Sequence, residues 1–398
     1  MTPLAGIKVL DLSRVLAGPW CTQLLADLGA EVIKIERPGV GDDTRHWGPP
    51  WVGEGDQRVA AYFLSCNRGK KSAAIDFAQP AGADLIRHLA SSADVMVENF
   101  KVGGLAKFGL DAVTLRAANP RLIAASITGF GQDGPYADRP GYDFIIQGMG
   151  GMMSVTGLPD DEPGGGPMRA GVAIADLFTG MYTCVAVLAA LYQREKTGEG
   201  AIIDSALFDT QIAVMANQAS NALVSGKDPP RQGNSHPNIV PYQAFDAADQ
   251  PIIIAVGNDR QFARLAALCG HGEWVADSRF ASNEMRVANR DEIVRLIADV
   301  IRTKPAAAWL EQLELGGIPA GPINRLTQAL TDVQAQHRQM VRTIVGVPMV
   351  GSPVRLNGKR ADSDLPPPAL GEHTAEVLAS LGIDPDEVSR LRAANLLG

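Results

Sequence analysis

Short runs of aliphatic and β-branched residues alternate with helical patterns through the first half of the chain. Helices are predicted at 19–28, where Pro19 starts and Gly29 ends the pattern, at 80–93, and after residue 204 up to about Ser225. Strands are predicted at 7–12, 31–35, 73–77, 94–97, 122–127 and 201–204. Strands that alternate with single helices are typical of βαβ units and of a parallel sheet buried on both faces. The pattern therefore predicts an α/β fold built on a parallel sheet.

The sequence changes character after residue 225. Lys227-Asp228-Pro229-Pro230 has the composition of a linker, and the residues beyond it are predicted to form a strand near 252–256 and helices at 259–269, 291–302 and 306–315. After these, β-like sequence returns at 341–357, with two short helices within 372–396. We therefore expect a discontinuous large domain and a smaller α/β domain. Their expected bounds are 1–225 for the large domain, 226–330 for the small domain, and 331–398 for a segment returning to the large domain.

Two segments rich in Gly, Pro and Asp interrupt these elements. Residues 38–58 are long enough for a surface loop with a function of its own. Residues 159–167 precede an apolar run that begins at 173. They fit either a lid over a site or an ordinary solvent loop.

Composition restricts the class of protein. Of 398 residues, 46% are apolar and 20% charged, as in globular proteins, and the net charge is 36 − 44 = −8. Bulk attraction to nucleic acid or to an anionic membrane is therefore not expected. The four cysteines form no C-x-x-C motif and the first residues do not resemble a signal peptide. We expect no disulfide framework, no metal site and a cytoplasmic location.

One carboxylate, Asp176, stands at the start of the apolar run 174–192. The polar residues within this run predict a buried core helix rather than a membrane span. Environments that perturb a carboxylate are where acids, bases and nucleophiles tend to lie. An Asp that complements the dipole at a helix N-terminus is the alternative interpretation.

Nucleotide and hydrolase motifs are absent or incomplete. The turn after the first predicted strand, 13–19, has one glycine in place of G-x-G-x-x-G, and neither a P-loop nor a G-x-S-x-G elbow occurs. That turn carries Arg14, Arg37 ends the second predicted strand, and basic residues crowd at 68–71. Parallel sheets bind ligands beyond the carboxyl ends of their strands, so Arg14 and Arg37 predict a site for a phosphate-rich ligand. A solvated basic surface is the alternative.

Several blocks of the sequence resemble the CoA transferases of family III, which include formyl-CoA:oxalate and carnitine CoA transferases. The blocks are VLDLSRVLAGP at 9–19, LGAEVIKIERP at 28–38, NRGKKS at 67–72, VENF at 97–100, GVAIAD at 171–176 and LGEHT at 370–374. The resemblance implies a Rossmann-like large domain plus a small domain, with two chains interlocked in a homodimer. It also implies coenzyme A, an acyl-CoA and a carboxylic acid as substrates, and no tightly bound cofactor.

The resemblance assigns the role of nucleophile to Asp176. The positions that it implies for CoA binding are Val15, Leu16, Ala17, Arg37, Ile75, Asp76, Asn99, Phe100, Lys101 and Lys107. Lys107 stands where the oxalate enzyme has an arginine, so the chain departs from the family pattern there. Tyr142 and Asp143 match a pair on the thioester side. We expect backbone amides near 148–151 or near Asp176 to hold the oxyanions that form.

The α-methylacyl-CoA racemases belong to the same superfamily and use a His and an Asp, the His lying in a Gly-His-Asp run. The matching residues here are Gly141-Tyr142-Asp143. A phenol with an ordinary pKa of about 10 is a poor substitute for imidazole in exchanging an α-proton. The sequence therefore favours a transferase over a racemase or epimerase. A non-catalytic CoA-binding protein is a further alternative.

Three segments, 41–50, 235–245 and 257–259, resemble the branch that uses succinyl-CoA and dicarboxylic acids such as glutarate. A distal carboxylate needs a fixed cation or donor. The candidates are Arg14, Arg45, Arg169 and His236. For Arg45 and His236 the alternatives are a solvent-facing residue and a histidine that bonds only its own loop. The sequence thus predicts CoA transfer from succinyl-CoA to a short dicarboxylate, through an aspartyl mixed anhydride and an aspartyl-CoA thioester.

Overall fold

The computed structural model describes residues 2–55 and 58–398. Its contacts divide the chain into two compact units. The first unit runs to Met152, resumes over Ala170–Ala219 and again over Val333–Gly398, and the second consists of Met153–Arg169 and Ser220–Asp332. Residues 153–169 thus lie in the second unit, whereas we expected them in the 1–225 domain.

Hydrogen bonds explain this placement of 153–169. The Gly233 N–H donates to Gly157 O at 3.0 Å, and Arg231 Nε donates to Leu158 O at 3.2 Å. A hydrogen bond to a backbone carbonyl does not depend on the spacing of hydrophobic residues. The sequence pattern therefore did not indicate that 153–169 belongs to the second unit.

The described residues form the following strands and helices. The strands are β1 (Lys8–Asp11), β2 (Glu31–Glu36), β3 (Trp51–Val52), β4 (Val59–Ala60), β5 (Lys70–Ala74), β6 (Val95–Glu98), β7 (Ile123–Thr128), β8 (Ile202–Ala206), β9 (Tyr242–Asp246), β10 (Pro251–Ala255), β11 (Ala320–Pro322), β12 (Val341–Ile344), β13 (Val347–Val350), β14 (Arg355–Leu356) and β15 (Lys359–Arg360). The helices are α1 (Ala17–Asp27), α2 (Ala61–Ser65), α3 (Pro80–Ser92), α4 (Ala112–Ala118), α5 (Asp143–Met149), α6 (Met152–Val155), α7 (Ile174–Thr197), α8 (Leu207–Val214), α9 (Ala216–Ser225), α10 (Asp259–Leu268), α11 (Asn283–Ala288), α12 (Arg290–Ile301), α13 (Ala306–Leu315), α14 (Leu326–Thr331), α15 (Val333–His337), α16 (Thr374–Ser380) and α17 (Pro385–Ala393).

A six-stranded parallel sheet forms the centre of the first unit, as the alternating pattern predicted. Its strand order is β5-β2-β1-β6-β7-β8. In the middle of the sheet, Val9 of β1 lies opposite Val32 of β2 on one side and Val95 of β6 on the other. This is the Rossmann order, in which winding reverses between β1 and β6. Such a switch point opens a crevice beyond the carboxyl ends of the strands.

Helices cover both faces of this sheet. On one face α1 and α7 pack through residues such as Leu25 and Val187, and on the other α3 and α16 pack through Ile86 and Leu378. Burial on both faces explains why the central strands β1, β6 and β7 are largely apolar. The 24-residue α7 is long and apolar enough to cross a membrane, but its contacts with α1, β7 and β8 are those of a core helix.

The segment 333–398 completes an edge of the sheet. Ile75 forms a β-bridge with Leu397, the Asp76 N–H donates to Leu396 O at 2.9 Å, and the Gly398 N–H donates to Ala74 O at 3.1 Å. These bonds cover β5, which is the outermost strand on its side.

The second unit has a core of its own. Strands β9, β10 and β11 form an antiparallel sheet in the order β11-β10-β9. Helices α10, α12 and α13 bury Phe262, Ile297 and Trp309 in the same core as Ile252 and Ile254 of β10. The predicted helices of this region agree with the structure to within one residue at each end.

Three predicted elements differ from the structure. The first helix begins at Ala17, two residues before Pro19, and the third strand of the sheet is Lys70–Ala74 rather than 73–77. The predicted helix up to Ser225 is broken where Ala216 adopts a φ of 45°. A further difference is in the predicted loop 38–58, which contains a short 3-10 helix and β3; β3 pairs with β4 just beyond the loop, and positions 56 and 57 lie outside the described residues.

Candidate active site

A cavity opens where β1, β6 and β7 end, at the switch point of the sheet. Its wall contains the turn 14–17 after β1, residues 99–102 after β6, and residues 137–142 beyond β7. Asp176, in the first turn of α7, lines the same cavity. The topology therefore brings four segments that are far apart in sequence to one place.

The turn after β1 has an unusual backbone. Val15 has a φ of 71°, a left-handed value that a β-branched residue rarely adopts. Its N–H donates to the Asp42 carboxylate, at 3.2 and 3.3 Å from the two oxygens. Asn99 holds the preceding residue, since its Oδ1 accepts from Arg14 N at 2.9 Å and its Nδ2 donates to Arg14 O at 2.6 Å. Strained backbone of this kind clusters at functional sites.

Buried ion pairs lie beneath this turn. Lys34 Nζ is 2.9 Å from Asp42 Oδ2, and Lys70 Nζ is 3.0 Å from Asp11 Oδ2. Burial opposes ionisation of Asp42, but the Lys34 ammonium outweighs burial and lowers the pKa of Asp42 to about 2. Lys34 Nζ also donates to Ser13 O at 2.7 Å. A buried pair satisfied in this way stays charged and holds the backbone that it contacts.

Asp176 is the perturbed carboxylate of the cavity. Burial raises the pKa of Asp176 to about 7, and the negative charge of Asp143 adds to the shift. A position near a helix N-terminus normally favours the ionised form, and here burial outweighs that effect. Among the described residues, no hydrogen bond is found to the Asp176 side chain. The site thus holds one carboxylate that is poised between its two protonation states at neutral pH and available to a ligand.

Asp143 is fixed close to this carboxylate. Its Oδ1 accepts from the Ala175 N–H at 2.8 Å, and its Oδ2 accepts from Gln147 Nε2 at 2.7 Å. Tyr142 precedes it at the start of α5, lines the cavity and is 63% exposed. The sequence-predicted pair therefore divides into a buried carboxylate and an exposed phenol.

A second cavity adjoins the first along the carboxyl ends of β2 and β5. Arg14 and Phe100 line both cavities, and Arg37, Ile75 and Asp76 line the second. The remaining positions predicted to contact CoA, apart from Lys107, line the first; these are Val15, Leu16, Ala17, Asn99 and Lys101. Two neighbouring cavities with this lining suit an extended ligand.

Lys107 is not among the residues that line these cavities. It lies on a 3-10 turn, with its ammonium 4.7 Å from the centre of the Phe108 ring. The structure therefore gives this position no contact with the crevice.

In the part of the chain that the structure describes, no group of three or more His, Cys, Asp or Glu side chains suits a metal ion.

Arg45 does not fit the role of a substrate cation, and this prediction is corrected. Its Nε donates to Glu36 Oε2 at 2.8 Å, its Nη2 donates to Glu36 Oε1 at 2.6 Å, and the side chain is almost fully buried. Nη2 also donates to Pro368 O at 3.1 Å. The loop after β2 folds back onto the sheet, so a residue predicted to face solvent became an internal ion pair.

The prediction for the basic residues at 68–71 is corrected in the same way for Arg68 and Lys70. Arg68 pairs with Asp27 at 2.5 Å, and Lys70 pairs with Asp11, all four side chains being buried. They stabilise the interior of the unit rather than forming an anion-binding surface. Arg14 differs from them because its side chain is exposed, 3.0 Å from Asp43, and lines the crevice.

Arg169 and His236 both belong to the second unit. Arg169 is an exposed residue with polar contacts of its own. His236 Nδ1 accepts from the Asn238 N–H at 3.1 Å, and the ring lies 5.2 Å from Tyr242. The histidine therefore bonds its own loop, as the alternative interpretation stated.

Sequence reasoning missed a cation of the first cavity. A Cβ on Gly129 or Gly141 would lie 2.6 or 2.4 Å from the other's Cα, so these glycines close the ends of a compact loop. Arg139 on this loop lines the cavity, with its guanidinium 3.8 Å from the centre of the Tyr136 ring. Among the described residues, no side chain forms a hydrogen bond or ion pair with this guanidinium, so stacking on Tyr136 alone holds it. Its position in a Pro- and Gly-bounded loop was the available signal.

The expected amides near 148–151 are not among the cavity-lining residues. Leu16 and Ala17, at the start of α1, line the cavity together with Asp176. In the part of the chain that the structure describes, no side chain caps this helix, and the first N–H groups of a helix have no intrahelical partner. The turn therefore presents unpaired donors to the same cavity as the carboxylate.

Comparison with known proteins agrees with this geometry. A model of CoA-transferase family III matches residues 4–374. A succinate–glutarate CoA-transferase of Agrobacterium fabrum is 49% identical over 95% of this chain and 96% of that protein, and a succinyl-CoA:glutarate CoA-transferase of Mus musculus is 41% identical over 100% and 91%. A CAIB/BAIF family protein of Brucella suis, known from a crystal structure, has a TM-score of 0.85 and 50% identity over 96% of this chain and 99% of that chain. The chain therefore belongs to CoA-transferase family III, whose members transfer coenzyme A.

Proposed function

We propose that this enzyme transfers CoA from succinyl-CoA to a short dicarboxylic acid such as glutarate, with Asp176 as the covalent nucleophile. One observation carries the assignment: Asp176 lines the switch-point cavity, has no hydrogen-bond partner among the described residues, and has a pKa raised to about 7 by burial. Relatives named for succinate and glutarate support the choice of substrates.

The chemistry follows from a carboxylate nucleophile. The Asp176 carboxylate attacks the thioester carbonyl, the C–S bond breaks, and CoA leaves as the thiolate, which gives a mixed anhydride. The thiolate then attacks the aspartyl carbonyl and releases succinate, leaving an aspartyl-CoA thioester. The acceptor carboxylate attacks this thioester, and the same two steps in reverse release the new acyl-CoA and the free carboxylate. Each step exchanges one acyl bond, so no net oxidation or reduction occurs.

The adjoining cavities are the proposed CoA site. Arg37, Ile75 and Asp76 would contact the nucleotide end, and Asn99, Phe100 and Lys101 the part nearer Asp176. Lys107 is left out of this proposal because it does not line the crevice. The thioester would lie beside Tyr142 and the amides of the turn 15–17.

A dicarboxylic acyl group has a second carboxylate that needs a cation. Arg139 lines the cavity and its guanidinium is held by stacking on Tyr136, whereas Arg14 is already 3.0 Å from Asp43. A guanidinium binds a carboxylate through two parallel hydrogen bonds. We therefore assign the distal carboxylate to Arg139 in preference to Arg14 and Arg45.

A homodimer is part of the proposal. Several large apolar side chains are exposed on α5 and α7, namely Ile145, Met149, Phe178, Met181, Tyr182 and Val185. Exposed large apolar side chains gathered on two helices are typical of a protein–protein interface. The expected assembly is the interlocked dimer of the family, and light scattering of the purified enzyme tests it.

The decisive experiment combines turnover with trapping. The enzyme is incubated with succinyl-CoA and a mixture of carboxylic acids, and every new CoA ester is identified by mass spectrometry. Borohydride or hydroxylamine added during turnover should modify residue 176. Asp176→Asn, prepared fresh so that it has not deamidated, should be folded and inactive. Deuterium exchange at the α-carbon without an acceptor acid would instead support a racemase, in which Tyr142 occupies the position of the histidine.

A further inference from the structure

Val15 adopts a conformation that its own side chain disfavours. Its φ is 71°, and a β-branched residue in this region is strained unless the surrounding structure enforces it. Val15 also lines the cavity that contains Asp176. The group that enforces this conformation therefore shapes one wall of the site.

Asp42 is that group on one side of the turn. Both of its carboxylate oxygens accept from the Val15 N–H, at 3.2 and 3.3 Å. Asp42 is itself fixed, since its Oδ1 accepts from Thr44 N at 3.0 Å and Thr44 Oγ1 at 2.8 Å, and its Oδ2 is 2.9 Å from Lys34 Nζ. Because Lys34 Nζ also donates to Ser13 O at 2.7 Å, the Lys34–Asp42 pair bonds the turn on both sides of residue 14.

The consequence lies at the next two residues. The Val15 N–H is engaged by Asp42, while Leu16, directly before α1, and Ala17, its first residue, line the cavity, and no side chain of the described residues caps this helix. The Asp176 carboxylate in that cavity likewise has no hydrogen-bond partner among the described residues. A thioester carbonyl under attack by Asp176 needs donors at the place where its oxygen becomes negative.

We propose that Asp42 is a positioning residue for CoA transfer: it holds Val15 in the left-handed conformation, so that the amides of Leu16 and Ala17 face the developing oxyanion. This inference rests on the proposed role of Asp176. Asp42 does not touch the substrate, and it acts through Val15. Since the donors matter mainly in the transition state, loss of Asp42 should lower kcat more than it raises KM.

Asp42→Asn, Val15→Gly and the double variant test this proposal. Asparagine keeps the shape of Asp42 but loses its charge, and we expect kcat to fall about 10- to 100-fold, with KM for succinyl-CoA within about threefold of the wild type. Glycine adopts a φ of 71° without strain. The double variant should therefore recover at least about tenfold of the kcat lost by Asp42→Asn.

A matched control separates positioning from stability. Asp27 also forms a buried ion pair, at 2.5 Å from Arg68, and is not among the residues that line either cavity. Asp27→Asn should lower the melting temperature but leave kcat within about twofold of the wild type. If Asp42→Asn does not fold, Asp42→Glu takes its place, because it keeps a negative charge for Lys34 but moves the carboxylate by one methylene away from its position at the Val15 N–H.

The outcomes are distinct. Recovery of kcat in the double variant supports the proposal, because a purely structural role of Asp42 gives no reason for glycine at residue 15 to restore turnover. A folded Asp42→Asn or Asp42→Glu enzyme with wild-type kcat overturns it, and so does a double variant whose kcat is no higher than that of Asp42→Asn. If the wild-type enzyme itself transfers no CoA and traps no adduct at Asp176, then the proposed function has failed instead.

Discussion

The Asp143 carboxylate accepts a hydrogen bond from the Ala175 N–H at 2.8 Å, directly before Asp176 in the chain. Two carboxylates on different helices are thereby held close together. Burial raises the pKa of Asp176 to about 7, and the charge of Asp143 adds to this shift. The group proposed as the nucleophile therefore changes its charge close to neutral pH. Its effects on turnover and on stability can both be measured by varying the pH around 7.

The pH dependence of turnover is the first prediction. Because the attacking form of Asp176 is the ionised one, kcat/KM should rise with pH through about 7 and then reach a plateau. Asp143→Asn removes a negative charge and should move the midpoint to lower pH. Initial rates across the pH range, with circular dichroism as the control for folding, measure both midpoints. An unchanged midpoint in the variant would contradict the assigned electrostatic coupling.

Stability should depend on the same titration. The pKa of Asp176 is about 7 in the folded enzyme against an ordinary value of 3.8, so the protonated form is favoured by folding. The contribution of the protonated Asp176 carboxyl to the free energy of unfolding is fully present below pH 3.8, and it is lost as the pH rises through about 7. Asp176→Asn cannot ionise, so well above pH 7 it should be more stable than the wild type by about 4 kcal/mol, at about 1.4 kcal/mol per pKa unit.

Urea unfolding at pH 5 and pH 8 measures this difference. The advantage of Asp176→Asn should grow between the two pH values, because the wild-type carboxyl loses its proton over that interval. The exposed Asp161 supplies the control, since Asp161→Asn should change stability equally at both pH values. If Asp176→Asn gains the same unfolding free energy over the wild type at pH 5 and at pH 8, the pKa of the Asp176 carboxyl is not raised by burial.

Selectivity for dicarboxylic substrates is predicted to depend on Arg139. Arg139→Gln removes the guanidinium, and kcat/KM with succinyl-CoA and glutarate should fall about 10- to 100-fold, the usual loss for a hydrogen bond to a charged group. A thioester with a single carboxyl-derived group, such as butyryl-CoA, should be affected less than about threefold. Arg121→Gln removes an exposed cation of the first unit and serves as the control. Equal losses for both thioesters would place Arg139 at the CoA moiety instead.

Arg45 is predicted to matter for stability and not for substrate choice. Arg45→Met leaves the Glu36 carboxylate buried without its partner, which should cost about 3–5 kcal/mol of unfolding free energy. Adding Glu36→Gln should restore part of this loss. Urea unfolding measures the change, and the ratio of rates with glutarate and a monocarboxylic acid should stay as in the wild type. A changed ratio would return Arg45 to the list of substrate contacts.

The sequence was most informative where structure follows a hydrophobic period. The strands of the parallel sheet, the helices of the second unit and the placement of Arg14 and Arg37 at strand ends were predictable, because burial on two faces demands apolar runs. Charged residues that pair inside the fold were not predictable. Arg45, Arg68 and Lys70 look like surface residues in sequence, and their partners, such as Glu36 and Asp27, become neighbours only through tertiary folding.

The candidate site was predictable only in part for a related reason. The family resemblance pointed to Asp176, but neither a helical nor a strand period indicates the left-handed φ of Val15 or its bond to Asp42. A glycine at residue 15 would have indicated a left-handed backbone conformation, whereas a valine at this position does not. Backbone geometry that is enforced by a distant side chain has no local sequence signature.

The pairing of 396–398 with β5 has a consequence for biosynthesis. All six strands of the central sheet leave the ribosome well before Leu397 does. The outer edge of β5 in the nascent chain therefore stays unpaired for much of its translation. An open strand flank attracts other unfinished chains. Solubility of the newly made polypeptide should therefore respond to translation speed and to chaperone supply more than the finished fold would suggest.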